Sequence, residues 1–445
     1  MVGGSSPPGP TNTKLFLCGI IFSMQFPVTE SQRIEVLDVV RGFSLLGILL
    51  LNIIAFGLVS QSYINPSLDL PGSFTIDWVI WGAIEVTAEG AMRGIFSVLF
   101  GAGIVLFCAN KSKADQKLFL RRNFFLLCFG IIDAYFLLWY GDILITYAVA
   151  GFILYYLRNL TGKTLLKIAV AILCFTALLN YLGKEVITYS KDAYVEVNSF
   201  EQTEITEEKI LWAEAWDEFR VNYQPNEAEI DAEVSQRRGT YAEVFAWNAE
   251  RKNIVIYSLP FYLWDIFLMM VLGMALFKLG ILQGERNLSF YKKFAVISFA
   301  IGLSVNFIEL YLFTSSGFDY RYSRVFLSSY DLGRLGMALG YISVINIIIK
   351  ADVFKTIRQK LQNVGRMALT NYILHSIICM VLFTGVGFGL VNELSRANLY
   401  LIVLAIWVFQ IYFSGYWLKR YQAGPLEWLW RNMTYKRTFQ LKRKI

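Results

Sequence analysis

The residues of this sequence that could do chemistry are a few ionisable side chains inside long apolar segments. The clearest is Asp133, which lies deep in the apolar stretch from Phe124 to Tyr147, with no basic residue within one helical turn. An unpaired carboxylate in hydrocarbon is costly, so Asp133 needs a partner from another segment, a water-filled cavity or a bound proton. Asp133 is therefore the first candidate catalytic residue. Asp142, near the end of the same stretch, is the second.

The single histidine, His375, is the third candidate catalytic residue. It is the only imidazole that the chain offers for acid or base work near neutral pH. One histidine excludes a multi-histidine metal site within one subunit, and no metal-binding residue is predicted. A Ser-His-Asp triad would have to use the same residue.

A second group of charged residues falls near one end of the apolar segments and is a candidate for substrate binding. It consists of Arg93, Asp265 and Arg334. Residues three or four apart face each other on a helix. We therefore also expect two local ion pairs, Asp331 with Arg334 and Glu89 with Arg93.

The opposite end of the apolar segments carries Asp38 and Arg41 on one face of the first segment. An ion pair beside phosphate head groups would account for both residues. In the functional interpretation, the planar guanidinium of Arg41 binds a phosphate or carboxylate of a ligand, with Asp38 beside it. Asn52, midway along the segment, can bond across helices. Asn371, in the C-terminal half, is a further candidate for substrate binding.

The elements that must position these residues are transmembrane helices. The 445 residues are 56% hydrophobic and only 17% charged, an apolar composition that soluble chains do not have. A membrane helix needs about 20 mainly apolar residues, and ten runs approach that length. They lie near 36–59, 94–110, 121–140, 141–158, 163–183, 255–280, 291–313, 326–349, 366–390 and 398–418. We predict an all-α, polytopic bundle of about ten spans, in which the third and fourth runs could instead form one broken or re-entrant unit.

The distribution of Lys and Arg predicts the orientation of these spans. Alternate loops on one side, together with the C-terminal tail, hold 25 of the 41 basic residues. Because cytoplasmic loops are rich in basic residues, both termini are predicted in the cytoplasm. The net charge of +7 is then matched by anionic lipids, so the predicted partners are membrane lipids and not nucleic acid. The pair Gly336 and Gly340 is compatible with a homodimer or with packing inside one chain.

One long acidic insert interrupts the apolar runs, and the same rule places it on the outer side. Thr206 and Asn226 are predicted N-caps of two amphipathic helices, the second of which includes Tyr241 and Phe245. The predicted division of the chain is an N-terminal tail (1–32), an N-terminal transmembrane half (33–183), the insert (184–253), a C-terminal transmembrane half (254–418) and a basic tail (419–445).

Five ordered motifs resemble those of the YeiB-like bacterial inner-membrane proteins, whose C-terminal part is the domain of unknown function 418. They are LDVVRGFSLLGILLLNIIAF, FSVLFGAGIVL, WYGDILITYAVAGFILY, VGRMALTNYILHSI and GPLEWLWRNMTY, and the resemblance extends over residues 33–437. It implies an inner-membrane location. The family is regarded as distantly related to transmembrane acyltransferases, including the lysosomal heparan glucosaminide acetyltransferase, which implies a cytoplasmic acyl-CoA donor.

The resemblance also bears on the role of Asp133, because relatives commonly have a histidine at this position. It implies one of three outcomes for this chain. In the first, the base is now the carboxylate of Asp133, and burial must raise its proton affinity. In the second, His375 has taken the role. In the third, this branch does not acylate.

Three functions fit these residues. The leading hypothesis is acyl transfer from acyl-CoA to a carbohydrate or lipid acceptor at the outer face, with Asp133 as base and Arg41 holding the donor. The rival is an ion-coupled small-solute transporter that uses Asp133, Asp265 and Glu309 as proton or cation sites, although no clear inverted repeat is evident. The third is a lipid-binding membrane protein without chemistry. Acyl-CoA enters only as a donor substrate, and no resident cofactor is predicted.

Overall fold

The computed structural model describes residues 33–108, 113–199 and 205–443, and within these ranges the chain forms sixteen α-helices and no β-strand. The helices are α1 (Glu35–Gly57), α2 (Ile76–Thr87), α3 (Ala91–Phe107), α4 (Lys113–Ile131), α5 (Leu144–Leu154), α6 (Gly162–Val197), α7 (Glu207–Tyr223), α8 (Glu227–Arg238), α9 (Tyr241–Tyr257), α10 (Leu259–Lys278), α11 (Leu288–Ser315), α12 (Tyr330–Lys350), α13 (Lys355–Arg366), α14 (Ala368–Phe383), α15 (Arg396–Arg420) and α16 (Pro425–Tyr435). A π-helical turn follows α4 at Ile132–Phe136.

Seven of the described helical segments are long and apolar enough to cross a membrane. They are α1, the α2–α3 segment (Ile76–Phe107), α6, α10, α11, α12 and α15. The pair α13–α14, bent by 78°, makes an eighth if it is one broken span. The prediction of an all-α, multi-pass membrane protein is confirmed, whereas the count of ten spans is not.

The third and fourth predicted runs account for most of this difference. The third corresponds to α4, whose first half is charged, followed by the π-helical turn. The fourth corresponds to α5, which has only 11 residues. Between them Leu138 has a φ of 57°, a left-handed conformation that interrupts the helix. The backbone here is therefore irregular, as in the broken unit that the sequence allowed as an alternative.

Helix α1 and helix α13 cross so closely that their glycines meet the opposite backbone. A Cβ on Gly42 would lie 1.9 Å from the carbonyl oxygen of Leu361, and one on Gly365 would lie 1.9 Å from that of Asp38. Only glycine allows this approach. The crossing fixes the part of α1 that carries Asp38 and Arg41.

Gly336 is also used for packing inside the chain. A Cβ on Gly336 would lie 2.6 Å from the backbone nitrogen of Gly302, because α11 and α12 pack closely. A Cβ on Gly340 would likewise lie 2.7 Å from the Phe299 ring of α11, so the pair Gly336 and Gly340 has an intrachain role in the described structure.

The insert forms three helices after the long helix α6. Thr206 and Asn226 cap α7 and α8 as predicted, and Asn226 forms a complete capping box with Glu229. The prediction of only two helices is wrong, because Thr240 caps a separate helix, α9, that contains Tyr241 and Phe245. Helix α6 continues to Val197, so the predicted boundary at residue 184 falls inside a helix.

Arg237 anchors the insert to the end of α1. Its guanidinium donates hydrogen bonds to the carbonyl oxygens of Ala55 (3.0 Å), Phe56 (2.6 Å) and Leu58 (2.6 Å). These are carbonyls that a helix C-terminus leaves without an intrahelical partner. The insert is thus held against one end of the bundle, called here the insert end. The opposite end, where α1 begins, is called the basic end.

Candidate functional site

A cavity of about 380 Å³ opens at the basic end between α1, α3, α4, α14 and α16. Its volume falls in the range of small-molecule sites, roughly 300–1,000 Å³. Five arginines line it, namely Arg33, Arg41, Arg122, Arg366 and Arg431. The acids that line it are Asp38 and Glu427. We call it the arginine cavity, and its excess positive charge suits an anionic ligand.

Asp38 holds two of these arginines in place. Its carboxylate accepts hydrogen bonds from Nη1 of Arg33 at 3.0 Å and Nη1 of Arg41 at 2.7 Å. Asp38 is buried, while Arg33 and Arg41 remain partly exposed. The two guanidinium groups are therefore positioned by one buried carboxylate, which confirms that Asp38 and Arg41 lie together.

Helix α16 closes part of the mouth and brings Arg431 into it. Burial and the nearby charges of Arg33 and Arg366 lower the pKa of the Arg431 guanidinium below its ordinary value. The Trp430 ring on α16 packs on the guanidinium of Arg122, with 4.2 Å between the ring centre and Cζ. Crowded like charges of this kind are relieved when an anion binds between them.

The interior of the arginine cavity is apolar and ends at two tyrosines. Its walls include Phe96, Phe100 and Leu126, and its inner end includes Tyr147 and Tyr372. The Tyr147 hydroxyl lies 2.6 Å from Oγ of Ser97 and 3.4 Å from the carbonyl oxygen of Arg93. The Tyr372 hydroxyl donates to Oδ1 of Asp142 over 3.4 Å. The cavity thus combines a cationic mouth with an apolar interior that reaches polar groups in the bundle.

Beyond Tyr372 lies a buried group of three ionisable side chains, Asp133, Asp142 and Lys252, called here the carboxyl cluster. Asp142 caps α5: Oδ1 accepts from the amide of Leu144 and Oδ2 from that of Ile145, both at 3.0 Å. Lys252, on α9 of the insert, donates from Nζ to the carbonyl oxygen of Asp142 at 2.9 Å. The sequence did not identify Lys252, because it is one of several basic residues in a hydrophilic segment.

Asp133 itself is the second residue of the π-helical turn after α4 and is completely buried. Within the described part of the chain, neither carboxyl oxygen of Asp133 forms a hydrogen bond of normal geometry. The polar groups that face it are the Asp142 carboxyl, the Ser376 hydroxyl and the Lys252 ammonium. Asp133 thus lies beside polar groups from other segments, but no ion pair to its carboxyl is formed within the described part of the chain.

His375 lies on a different side of α14 from the carboxyl cluster. Its Nε2 lies 2.9 Å from Oε1 of Gln410 on α15, and Nε2 of Gln410 donates to the carbonyl oxygen of Asn371 at 2.8 Å. The Asn371 amide in turn donates to Oγ of Ser414 at 3.0 Å. His375 and Asn371 thus face α15, whereas Tyr372 and Ser376 face the carboxyl cluster.

Arg93, Asp265 and Arg334 come together in an ion-pair network in which Arg334 is buried and the other two are partly buried. Arg93 donates from Nη1 to Oδ2 of Asp265 at 2.8 Å, and Arg334 contacts Asp265 and pairs with Asp331 at 2.6 Å. The predicted Asp331–Arg334 pair is confirmed. The predicted Glu89–Arg93 pair is wrong, because Glu89 pairs instead with Arg324 at 3.4 Å.

The remaining candidates add little to this site. Asn52 is half-buried on α1 and does not line the arginine cavity. Among the described residues, no group of three or more His, Cys, Asp or Glu side chains is placed to hold a metal ion. The residues that sequence reasoning missed are Arg33, Arg122, Arg366 and Arg431 at the mouth and Tyr147 and Tyr372 at the inner end. They come from segments that are far apart in the sequence, and short motifs do not show contacts between such segments.

The chain is similar to uncharacterised proteins of bacteria. Residues 276–437 match the family model described as "Protein of unknown function (DUF418)". The chain is 29% identical over 415 residues to the uncharacterised protein YeiB of Escherichia coli K12, covering 91% of this chain and 96% of YeiB. It is 29% identical over 432 residues to the uncharacterised protein YxaH of Bacillus subtilis 168, covering 92% and 96% of the two chains.

A third relative, an uncharacterised 39.9 kDa protein in the amylase 3′ region of Bacillus acidopullulyticus, is 26% identical over 424 residues. That alignment covers 93% of this chain and 97% of the relative. No solved structure matches the chain significantly. The resemblance to YeiB-like proteins and to the domain of unknown function 418, which the sequence motifs indicated, is confirmed by these matches.

Proposed function

We propose that this protein, a YeiB-like membrane protein with a DUF418 region, binds acyl-CoA in the arginine cavity and transfers the acyl group to an acceptor from the other side of the membrane. The observation that carries the proposal is the form of the arginine cavity. It has arginines at the mouth, apolar walls, and an inner end separated from two buried carboxyl groups by Tyr372. An amphiphilic donor with phosphate groups and an acyl chain is complementary to such a cavity.

The mouth suits the phosphate groups of coenzyme A. Guanidinium groups bind phosphate through paired, charge-assisted hydrogen bonds. Arg33 and Arg41 are already oriented by Asp38, so little side-chain freedom is lost when a phosphate binds. With the basic end in the cytoplasm, as the distribution of Lys and Arg predicts, the mouth opens where acyl-CoA is present.

The apolar interior suits the acyl chain. The acyl chain would be buried against Phe96, Phe100 and Leu126. Removal of its apolar surface from water stabilises the complex by about 25 cal/mol per Å². The thioester then lies toward Tyr147 and Tyr372, away from the phosphates. Arg93, Asp265 and Arg334 remain candidates for acceptor binding, since the Tyr147 hydroxyl reaches the Arg93 backbone.

The carboxyl cluster supplies the acid–base chemistry. An ionised carboxylate of the Asp133–Asp142 pair takes the proton of an acceptor hydroxyl or amine, whose oxygen or nitrogen attacks the thioester carbonyl carbon. The C–S bond breaks, and coenzyme A leaves as a thiolate that takes up a proton. Asp133 does not line the arginine cavity, so Tyr372 has to move for the acyl group to reach the pair.

Binding and turnover of purified protein test this function. The protein in lipid nanodiscs is titrated with a thioether analogue of acyl-CoA, which cannot be cleaved, and with free CoA. We expect saturable binding of both, and an Asp133→Asn variant that binds the analogue but does not transfer an acyl group from the thioester. Absence of binding to any acyl-CoA, together with unchanged behaviour of Asp133→Asn, would overturn the proposal. Proton-driven solute uptake into proteoliposomes would support a transporter instead.

A further inference from the structure

The insert contributes a buried cation to the carboxyl cluster. Lys252 is 1% exposed although it belongs to the hydrophilic insert. Burial lowers the pKa of the Lys252 ammonium, and the charges of Asp142 and Asp133 oppose that effect. A buried ammonium is retained where an anion compensates it. The position of Lys252 therefore indicates that at least one of the two carboxyl groups is ionised.

The two carboxyl groups have unequal surroundings. Asp142 accepts hydrogen bonds from two backbone amides at the N-terminus of α5, and the Tyr372 hydroxyl also points to it. Backbone amides at a helix N-terminus favour a negative charge. Asp133, in contrast, forms no hydrogen bond of normal geometry with any described residue, although it is completely buried. An ionised carboxylate without hydrogen bonds is among the most costly groups to bury.

We infer that Asp133 and Asp142 together hold one proton, that this proton is on Asp133, and that Lys252 is the counter-charge of ionised Asp142. Two carboxylates beside one ammonium would leave an uncompensated negative charge in an apolar surrounding, which one proton removes. The groups that face Asp133 from the helices packed around it are Asp142, Lys252, Ser376 and Tyr372. Lys252 is thus a positioning residue, since it acts through Asp142.

This arrangement has a consequence for the proposed chemistry, and only this consequence rests on the proposed function. A pair of carboxyl groups with one proton can accept the acceptor proton on Asp142 and donate from Asp133 to the departing thiolate. The resting protein then already contains both the acid and the base. The protonation state itself is a property of the protein without substrate.

Infrared spectroscopy tests the inference directly, because a protonated carboxyl has a C=O stretch that a carboxylate lacks. Spectra of the full chain in nanodiscs at neutral pH, without acyl-CoA, are compared with those of Asp133→Asn. The bands of other buried carboxyl groups are the same in both spectra and cancel in the difference spectrum. We expect the C=O band of one protonated carboxyl to be lost in Asp133→Asn. In Asp142→Asn the buried Lys252 loses its counter-charge and gives up its own proton, so the band of Asp133 stays unchanged.

Replacement of Lys252 separates a counter-charge from a purely structural role. In Lys252→Met the cation is lost, so Asp142 also takes a proton, and the band assigned to the pair doubles. That additional band disappears in the double variant Lys252→Met with Asp142→Asn. Lys252→Arg retains the charge and has the wild-type spectrum. Lys209→Met, at a partly exposed position on α7, is the matched control.

The inference is overturned if Asp133→Asn removes no C=O band, or if Lys252→Met has the same band as the wild type. If Lys252→Met does not fold, the comparison of wild type with Asp133→Asn and Asp142→Asn still decides which carboxyl holds the proton. Acyl-CoA takes no part in this measurement. A protein that binds no acyl-CoA can therefore still confirm the inference. A protein that binds and transfers the acyl group can likewise contradict it.

Discussion

The phenol oxygen of Tyr372 lies 3.4 Å from Oδ1 of Asp142, while Tyr372 also lines the arginine cavity. The same oxygen accepts a hydrogen bond from the amide of Ile143 at 3.2 Å. One side chain thus belongs both to the cavity at the basic end and to the carboxyl cluster. Tyr372 is the residue through which a ligand in the cavity would act on Asp142.

Replacement of Tyr372 by Phe tests whether this side chain links the arginine cavity to Asp142. The variant keeps the ring, so we expect the affinity for the acyl-CoA analogue to be unchanged. The loss of its hydrogen bonds to Asp142 and Ile143 should lower stability by about 1–2 kcal/mol and reduce acyl transfer. Thermal unfolding, analogue titration and turnover measure the three effects.

Tyr291→Phe is the matched control for Tyr372→Phe. Tyr291 is equally buried, and its hydroxyl donates to the carbonyl oxygen of Ile281 at 2.7 Å, but it does not line the arginine cavity. It should lose a similar amount of stability without an effect on transfer. Equal effects of both variants on transfer would contradict the role given to Tyr372.

Replacement of Arg41 by Gln tests the mouth of the arginine cavity. A hydrogen bond between a guanidinium and a phosphate contributes about 1.5–3 kcal/mol, so we expect the analogue to bind about 10- to 100-fold more weakly. The affinity should also depend less on salt concentration. Lys163→Gln, an exposed basic residue at the start of α6, is the control and should leave binding unchanged. Equal losses in both variants would indicate a non-specific charge effect.

Much of the fold could be predicted because it depends on local patterns. The length and apolarity of α1, α10 and α15 identified them as membrane helices, and the caps Thr206 and Asn226 depend on residues three positions away. The separate helix α9 was missed, because its apolar residues continue the periodicity of α8 across Gly239.

The packing of α1 on α13 gives a prediction about stability. A Cβ on Gly365 would overlap the carbonyl oxygen of Asp38, so Gly365→Ala must push the helices apart. We expect a loss of about 1–3 kcal/mol and weaker acyl-CoA binding, since Asp38 positions Arg33 and Arg41. Gly415→Ala on α15 is the control, because the nearest atom to its Cβ is 3.9 Å away. That variant should be as stable as the wild type or slightly more stable, as judged by thermal unfolding.

The attachment of the insert gives a further prediction. Arg237→Met removes a guanidinium that bonds three carbonyl oxygens at the end of α1 and pairs with buried Glu233 at 3.2 Å. We expect a loss of about 3–5 kcal/mol, since a buried carboxylate and several carbonyls lose their partner. Faster amide hydrogen exchange in α8 and α9 is the direct readout. Lys209→Met, which removes an exposed ion pair with Glu196, should not change exchange in these helices.

The candidate site could be predicted only in part, because its contacts join distant parts of the chain. Asp133, Asp38 and Arg41 were identified because they are charged residues within apolar segments. The Glu89–Arg93 pair was predicted from helical spacing. In the structure Glu89 pairs with Arg324 and Arg93 pairs with Asp265, and both partners come from other segments. Lys252 was not identified, because a lysine in an acidic insert carries no sign that it is buried.

The most direct test of acyl-CoA binding is photo-crosslinking with an acyl-CoA that carries a diazirine on its acyl chain, followed by mass spectrometry of the labelled peptides. Binding in the arginine cavity predicts label on α3 and α4, around Phe96, Phe100 and Leu126, and competition by unlabelled acyl-CoA. The Arg41→Gln variant should show less label at these positions. Label confined to the exposed faces of α11 and α15, or label that acyl-CoA does not compete away, would contradict the account.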